Sequence, residues 1–152
     1  MSNHPKVRPA GKPAGPDSEN LLQVENLVVS FTNEDSERIR ILEGVSFNVP
    51  RGRSVGLVGE SGCGKSVSAM SIMRLLPSPP SHVERGRIIF DGMDLLEMNQ
   101  SRIRAIRGDR IGMIFQEPMT SLNPTFTIGF QLMEVFRIHL KMGRKESFEK
   151  SV

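Results

Sequence analysis

The stretch Gly59-Glu60-Ser61-Gly62-Cys63-Gly64-Lys65-Ser66 (GESGCGKS) has the spacing G-x-x-x-x-G-K-[ST]. Each residue type in it has a physical job. Glycines let the backbone curl with its N–H groups turned inward and no side chain in the way. Successive inward N–H groups form an anion-binding concavity. A helix that begins at Lys65 adds the positive end of its dipole to that concavity. Lys65 is expected to set its ammonium against the outer phosphates of a nucleotide. Ser66 is expected to ligate Mg²⁺ through its hydroxyl, the ion bridging the phosphates. At average residue usage this pattern arises by chance in roughly one chain in two hundred of this length, so its presence is informative.

The flanks supply the context such a loop requires. Ser54–Val58 (SVGLV) is a short, nearly all-apolar run, which predicts a central strand buried on both faces. Lys65–Leu76 has apolar residues at Val67, Met70, Met73 and Leu76, a helical spacing, and Pro77, Pro79 and Pro80 stop it. The order is strand, glycine loop, helix.

Upstream, Leu21–Phe31 and Arg40–Val49 read as antiparallel strands joined by the polar turn Thr32–Glu37, with Pro50–Arg53 a second turn. Downstream, Arg87–Phe90 followed by Asp91-Gly92 reads as a strand and a turn. Ser101–Arg107 reads as a short helix, and Ile111–Phe115 (IGMIF) as another buried strand. Gln116–Pro124 (QEPMTSLNP) is a loop in which Asn123-Pro124 favours a turn. From Thr127 the spacing of Ile128, Leu132, Val135, Phe136 and Leu140 predicts one apolar helix face. That stripe suits a core better than an interface. Gly143 is placed to cap that helix, and Arg144–Val152 begins another.

Composition narrows the setting. No apolar run approaches the roughly 18 residues that span a bilayer. Residues 1–16 hold four prolines and two glycines and no apolar block, so they read as a tail and not as a signal peptide. These features predict a cytosolic protein. A single cysteine, Cys63, excludes an internal disulfide framework and fits a reducing compartment. Inside the phosphate loop it reads as a tolerated small side chain, or as a reactive thiol, since helix N-termini favour thiolates. A net charge of +3 is a small excess on 152 residues. The arginines between Arg85 and Arg110 are interleaved with Asp91, Asp94, Glu97 and Asp109, as on an ordinary solvated surface. No nucleic-acid partner is expected, because no series of base-stacking aromatics accompanies the charge.

Beyond the phosphate loop, other segments carry a family resemblance. GESGCGKS resembles the GxSGxGKS form of ABC ATPases. Ile111–Pro124 (IGMIFQEPMTSLNP) resembles the Q-loop region of ABC subunits that drive oligopeptide and dipeptide import. VENLVVSF and ILEGVSFNVPRG are similar to that family's first strands. The resemblance runs from about Leu22 to Val152. The fold it implies is α/β: a P-loop NTPase core with an antiparallel β subdomain and the start of a helical subdomain, incomplete. Residues 1–20 would be a tail and 21–152 the N-terminal part of an ABC-type nucleotide-binding domain.

The resemblance also implies roles. The cofactors are ATP and Mg²⁺. Gly59, Ser61, Gly62, Cys63, Gly64, Lys65 and Ser66 would bind nucleotide, Lys65 with a catalytic role as well. Phe31 matches the A-loop aromatic that stacks on adenine, although a core strand aromatic is the other reading. Gln116 matches the Q-loop glutamine, which contacts Mg²⁺ or the attacking water and reports the γ-phosphate state. Glu117–Pro124 would contact transmembrane permease subunits, and a second ATP-binding subunit would complete each site. The location implied is peripheral, on the cytoplasmic face of the membrane.

Three family elements have no match in these residues: the LSGGQ-like signature, a strand ending in Asp followed by a catalytic Glu, and a switch histidine. His4, His82 and His139 all lack switch-histidine context. The expectation is therefore an ATP-binding subunit for peptide import, with a nucleotide-binding remnant lacking ATPase activity as the alternative. Without the Asp-bearing strand, the edge of the phosphate-loop strand would stay open, which invites aggregation.

Overall fold

The computed structural model describes residues 19–116 and 122–152. The tail expected over 1–20 lies almost wholly outside these residues, as do Glu117–Ser121 of the loop. The chain divides into two compact units, Met1–Asn99 and Gln100–Val152.

The first unit is built on an antiparallel sheet. Its strands are β1 (Asn20–Thr32), β2 (Arg38–Pro50), β3 (Ser81–Phe90) and β4 (Met93–Asp94), in the order β2-β1-β3-β4. β1 is paired along most of its length on both sides, by β2 and β3, and it carries the most buried side chains: Val24, Leu27, Val28, Val29 and Ser30. Local turn chemistry sets the register. At the β1–β2 turn, Asn33 Oδ1 accepts the Glu37 amide at 2.8 Å, and Ser36 takes φ +65°. Between β3 and β4, Asp91 and Gly92 both have positive φ and Phe90 pairs with Met93. That is the two-residue turn whose twist suits a hairpin.

A bulge interrupts β1 between Val24 and Leu27, where Asn26 takes φ +47° and its amide donates to Ser46 Oγ at 2.8 Å. The facing strand accommodates it with Gly86, at φ +113°. A Cβ there would lie 2.6 Å from Leu27 Cα and 2.8 Å from the Glu25 carbonyl oxygen.

α1 (Lys65–Ile72) follows the phosphate loop. It stops short of the expected Leu76 because Arg74 turns left-handed, φ +51°, just past the C-cap Met73. The Arg74 guanidinium donates to the carbonyls of Leu95 and Met98, tying the end of α1 to the segment after β4. Arg87 Nε donates to Asp94 Oδ2 at 3.1 Å across β3 and β4. Arg40 Nε donates to Glu84 Oε2 at 2.9 Å. The Ser30 hydroxyl and the Arg40 guanidinium hold the Glu84 carboxyl below its usual range, so this bracing is lost as acid protonates it.

Two expected strands do not form. Ser54–Val58 has no strand partner among the described residues, and Val58 is 94% exposed. In the second unit, Ile111–Phe115 makes only a single bridge, Arg107 to Ile111, and Ile114 is 95% exposed. An apolar run becomes a strand only when a neighbour takes up its N–H and C=O groups. No described strand lies alongside either segment.

Among the described residues the second unit holds three helices. α2 (Gln100–Ile106) buries Ile103 and Ile106. α3 (Ile128–His139) starts at Thr127, whose hydroxyl accepts the Phe130 amide at 3.2 Å. α4 is Arg144–Ser151. The stripe Ile128–Leu140 is not a core face: α3 has no buried residue, and Ile128, Val135 and Ile138 are mostly exposed. Its length and spacing specify an amphipathic helix, and α3 packs against α4 while these side chains stay exposed. Nor does Gly143 cap α3. Lys141 takes the left-handed position, φ +54°, while Gly143, at φ −66°, is the N-cap of α4.

Candidate functional site

The phosphate loop runs from the exposed segment Ser54–Val58 into α1. Cys63 N donates to the Glu60 carbonyl at 3.3 Å, which makes its first turn. Gly62 and Gly64 follow with φ +84° and +91°, conformations an L side chain rarely adopts. Gly64 also has no room for a side chain, since a Cβ would lie 2.5 Å from Leu42 Cδ2. The loop is thereby seated against β2. The Cys63 thiol leans over Gly59, where an added Cβ would lie 2.4 Å from Sγ.

Lys65 bends back over this loop. Its Nζ donates to the Gly59 carbonyl at 2.7 Å and the Glu60 carbonyl at 2.5 Å, and lies 3.4 Å from Cys63 Sγ. The ammonium is thus positioned by the loop itself, with no carboxylate partner among the described residues. α1 has no side-chain N-cap and no acidic residue in its first turn. Its first N–H groups and its dipole therefore remain available to an anion. Ser66, one residue into α1, is exposed, as are Ser61, Gly62 and Cys63.

Ser66 offers Mg²⁺ one neutral oxygen. Among the described residues no group of three or more His, Cys, Asp or Glu side chains could hold a metal ion. This donor set fits an ion whose charge is balanced chiefly by phosphate oxygens, as Mg²⁺ on a nucleotide is. Bound there, the ion would neutralise phosphate charge. The chain's own groups available to phosphate there are the loop N–H groups and Lys65.

Phe31 is half-buried on β1, paired with Ile39 on β2 and Ser81 on β3. The register puts Phe31, Val29 and Leu42 on one face of the sheet, the face Gly64 meets. Phe31 and the phosphate loop thus adjoin the same side of the sheet. Gln116 belongs to the other unit and is exposed at the end of the irregular segment 112–116. One residue in that unit went unnoticed in the sequence. Gln131, on α3, accepts the Asn123 amide and donates to the carbonyls of Asn123 and Phe126 at 2.9 and 3.0 Å. It fastens the end of the loop that follows Gln116, and an amide one turn into a helix after a turn-forming Asn-Pro was its only signal.

The Cys63 position gives a direct test of the site. A maleimide should label this thiol, and saturating ATP should slow labelling, because phosphates at Lys65 would cover Sγ. Equal labelling rates with and without ATP would put the thiol outside the site.

An exposed glycine loop opening a helix, with its lysine held over the loop, defines a phosphate-loop nucleotide-binding protein with an antiparallel sheet at its side. Its family follows from comparison with known proteins: residues 42–150 match the ABC transporter family, and the chain belongs to it. It is 47% identical over 139 residues to a probable peptide ABC transporter ATP-binding protein, y4tR, of Sinorhizobium fredii, covering 91% of this chain and 41% of that protein. It is 49% identical over 127 residues to the dipeptide transport ATP-binding protein DppD of Bacillus subtilis, covering 84% and 38%. The chain therefore spans about two fifths of these relatives. Among solved structures, the dimeric ATP-binding cassette MJ0796 in a post-hydrolysis state with ADP and Pi superposes with a TM-score of 0.71. The identity is 23%, with 86% of this chain and 53% of that one covered. That likeness establishes the fold, an ABC ATPase cassette of which this chain has part.

Proposed function

We propose that this chain is the nucleotide-binding part of an ATP-binding subunit that energises import of peptides, of the dipeptide and oligopeptide class. The observation that carries the reading is the loop Gly59–Ser66, with Lys65 Nζ held over it and an uncapped helix behind it. The substrate class is supported by what the relatives are named for, peptide and dipeptide transport.

In this reading ATP binds with its phosphates in the loop, Lys65 exchanging its carbonyl partners for phosphate oxygens, and with adenine against Phe31. Ser66 would hold Mg²⁺, which would neutralise phosphate charge, and Gln116 would serve as the Q-loop glutamine. Lys65 stabilises charge that develops on the outer phosphate during transfer. A second ATP-binding subunit completes each site. Permease subunits dock at Glu117–Pro124, which places the protein on the cytoplasmic face of the membrane. No described helix is long and apolar enough to cross a membrane. Residues 21–152 form the nucleotide-binding domain portion.

Uptake of a labelled dipeptide and of an unrelated sugar, in cells whose gene carries Lys65→Ala, tests this reading. Peptide uptake should fall at least tenfold while sugar uptake is unchanged. Unchanged peptide uptake would overturn the substrate class. Purified chain that binds ATP without turning it over would favour a binding module over an enzyme.

A further inference from the structure

Phe31 is the penultimate residue of β1, one residue before the β1–β2 turn. Strand ends next to a turn fray, and a frayed end cannot present a ring at a fixed position. Here the end is fastened from behind. Thr32 N donates to the Pro80 carbonyl at 3.0 Å, and Thr32 Oγ1 lies 3.0 Å from His82 Nε2. Alternation along β1 puts Thr32 and Ser30 on the face opposite Phe31. On that opposite face His82 pairs with Ser30, beside the Arg40–Glu84 ion pair. Arg38, Arg40, His82, Val83 and Glu84 line an open cleft of about 880 Å³ there. The Thr32 hydroxyl spans to β3, and the backbone at Phe31 is paired on both sides, with Ile39 on β2 and Ser81 on β3.

We infer that Thr32 and His82 are positioning residues for adenine: their side-chain hydrogen bond fixes the end of β1, and with it the ring of Phe31 against the base. They never touch the nucleotide, and act only by sparing the ring an ordering cost on binding. The inference rests on the proposed stacking role of Phe31.

The effect should therefore fall on the base and spare the phosphates. Calorimetric titration of the 152-residue chain with ATP and with inorganic tripolyphosphate separates the two. Thr32→Val and His82→Leu should each weaken ATP binding by about fivefold, the worth of one net hydrogen bond, and leave tripolyphosphate binding unchanged. Thr32→Ser and His82→Gln, which keep a hydrogen-bonding group, should restore most of the affinity. In a Phe31→Ala background, Thr32→Val should cost ATP nothing further, since its route of action is gone. Equal weakening of both ligands would mean a general structural role and would overturn the inference. So would full ATP affinity in Thr32→Val and His82→Leu while Phe31→Ala binds weakly. A Phe31→Ala chain that binds ATP as tightly as the parent would overturn the stacking role itself, and this inference with it.

Discussion

Replacing Gly86 with alanine is expected to destabilise the sheet unit by about 4 kcal/mol or more. Two costs add. The residue sits at φ +113°, outside the regions an L side chain occupies at low energy. Its Cβ would also meet three backbone atoms below 3.0 Å: Leu27 Cα, the Glu25 carbonyl oxygen and the Asn26 carbonyl oxygen. A flexible side chain could swing away, but these atoms belong to the β1 bulge and to the most buried stretch of the unit, Leu27–Ser30. Relief would require the bulge to unpair from β3. Gly56→Ala is the control, since Gly56 has nothing within 4 Å of an added Cβ and no positive φ. Urea unfolding followed by circular dichroism should show the Gly56 variant within about 0.5 kcal/mol of the parent and the Gly86 variant largely unfolded without denaturant. A Gly86→Ala chain with the parent's midpoint would mean that β1 and β3 do not meet at this bulge.

Lys65→Ala should weaken ATP binding by about 100-fold, or about 3 kcal/mol, with the fold intact. The side chain is held by the loop carbonyls of Gly59 and Glu60, both at exposed positions where water replaces the lost partner at little cost. Stability should therefore change little while phosphate affinity collapses. The loss is large because, among the described residues, the ammonium is the one cationic side chain bonded within the loop, and charge-assisted bonds to phosphate are among the stronger ones. Lys65→Arg should recover only part of it, since a planar fork does not fit where a point charge bridges two adjacent carbonyls. Titration with ATP checks both variants, and parent-like affinity in Lys65→Ala would remove the loop from the nucleotide site.

The residues divide by the range of the forces that shape them. Where a segment's conformation is decided within a few residues, the sequence was enough. The GESGCGKS loop and the start of the helix behind it follow from glycine freedom and from spacing, although the helix ends at Ile72 rather than Leu76. The turn at Asp91-Gly92 and the start of α3 at Thr127 are likewise local, since a type of turn and a cap need only their own side chains. The antiparallel pairing of β1 and β2 came with its five-residue connection.

Where the outcome hangs on a distant partner, only the tertiary structure decided it. SVGLV and IGMIF have the composition of buried strands, yet neither is one here, because hydrogen bonding along a strand is completed by another segment. The apolar spacing of α3 predicted its helix but not its surroundings, and the stripe stayed exposed. Left-handed Arg74 and Lys141 end their helices where a glycine would be looked for. In the site itself, the sequence determined which residues can hold phosphate. That Leu42 on β2 seats Gly64, that Gly86 makes way for a bulge in β1, and that His82 reaches Thr32 behind Phe31 depends on contacts between residues 22 to 61 positions apart. The spacing of a motif fixes its own backbone, whereas contact between strands depends on register, and register is set by the whole sheet.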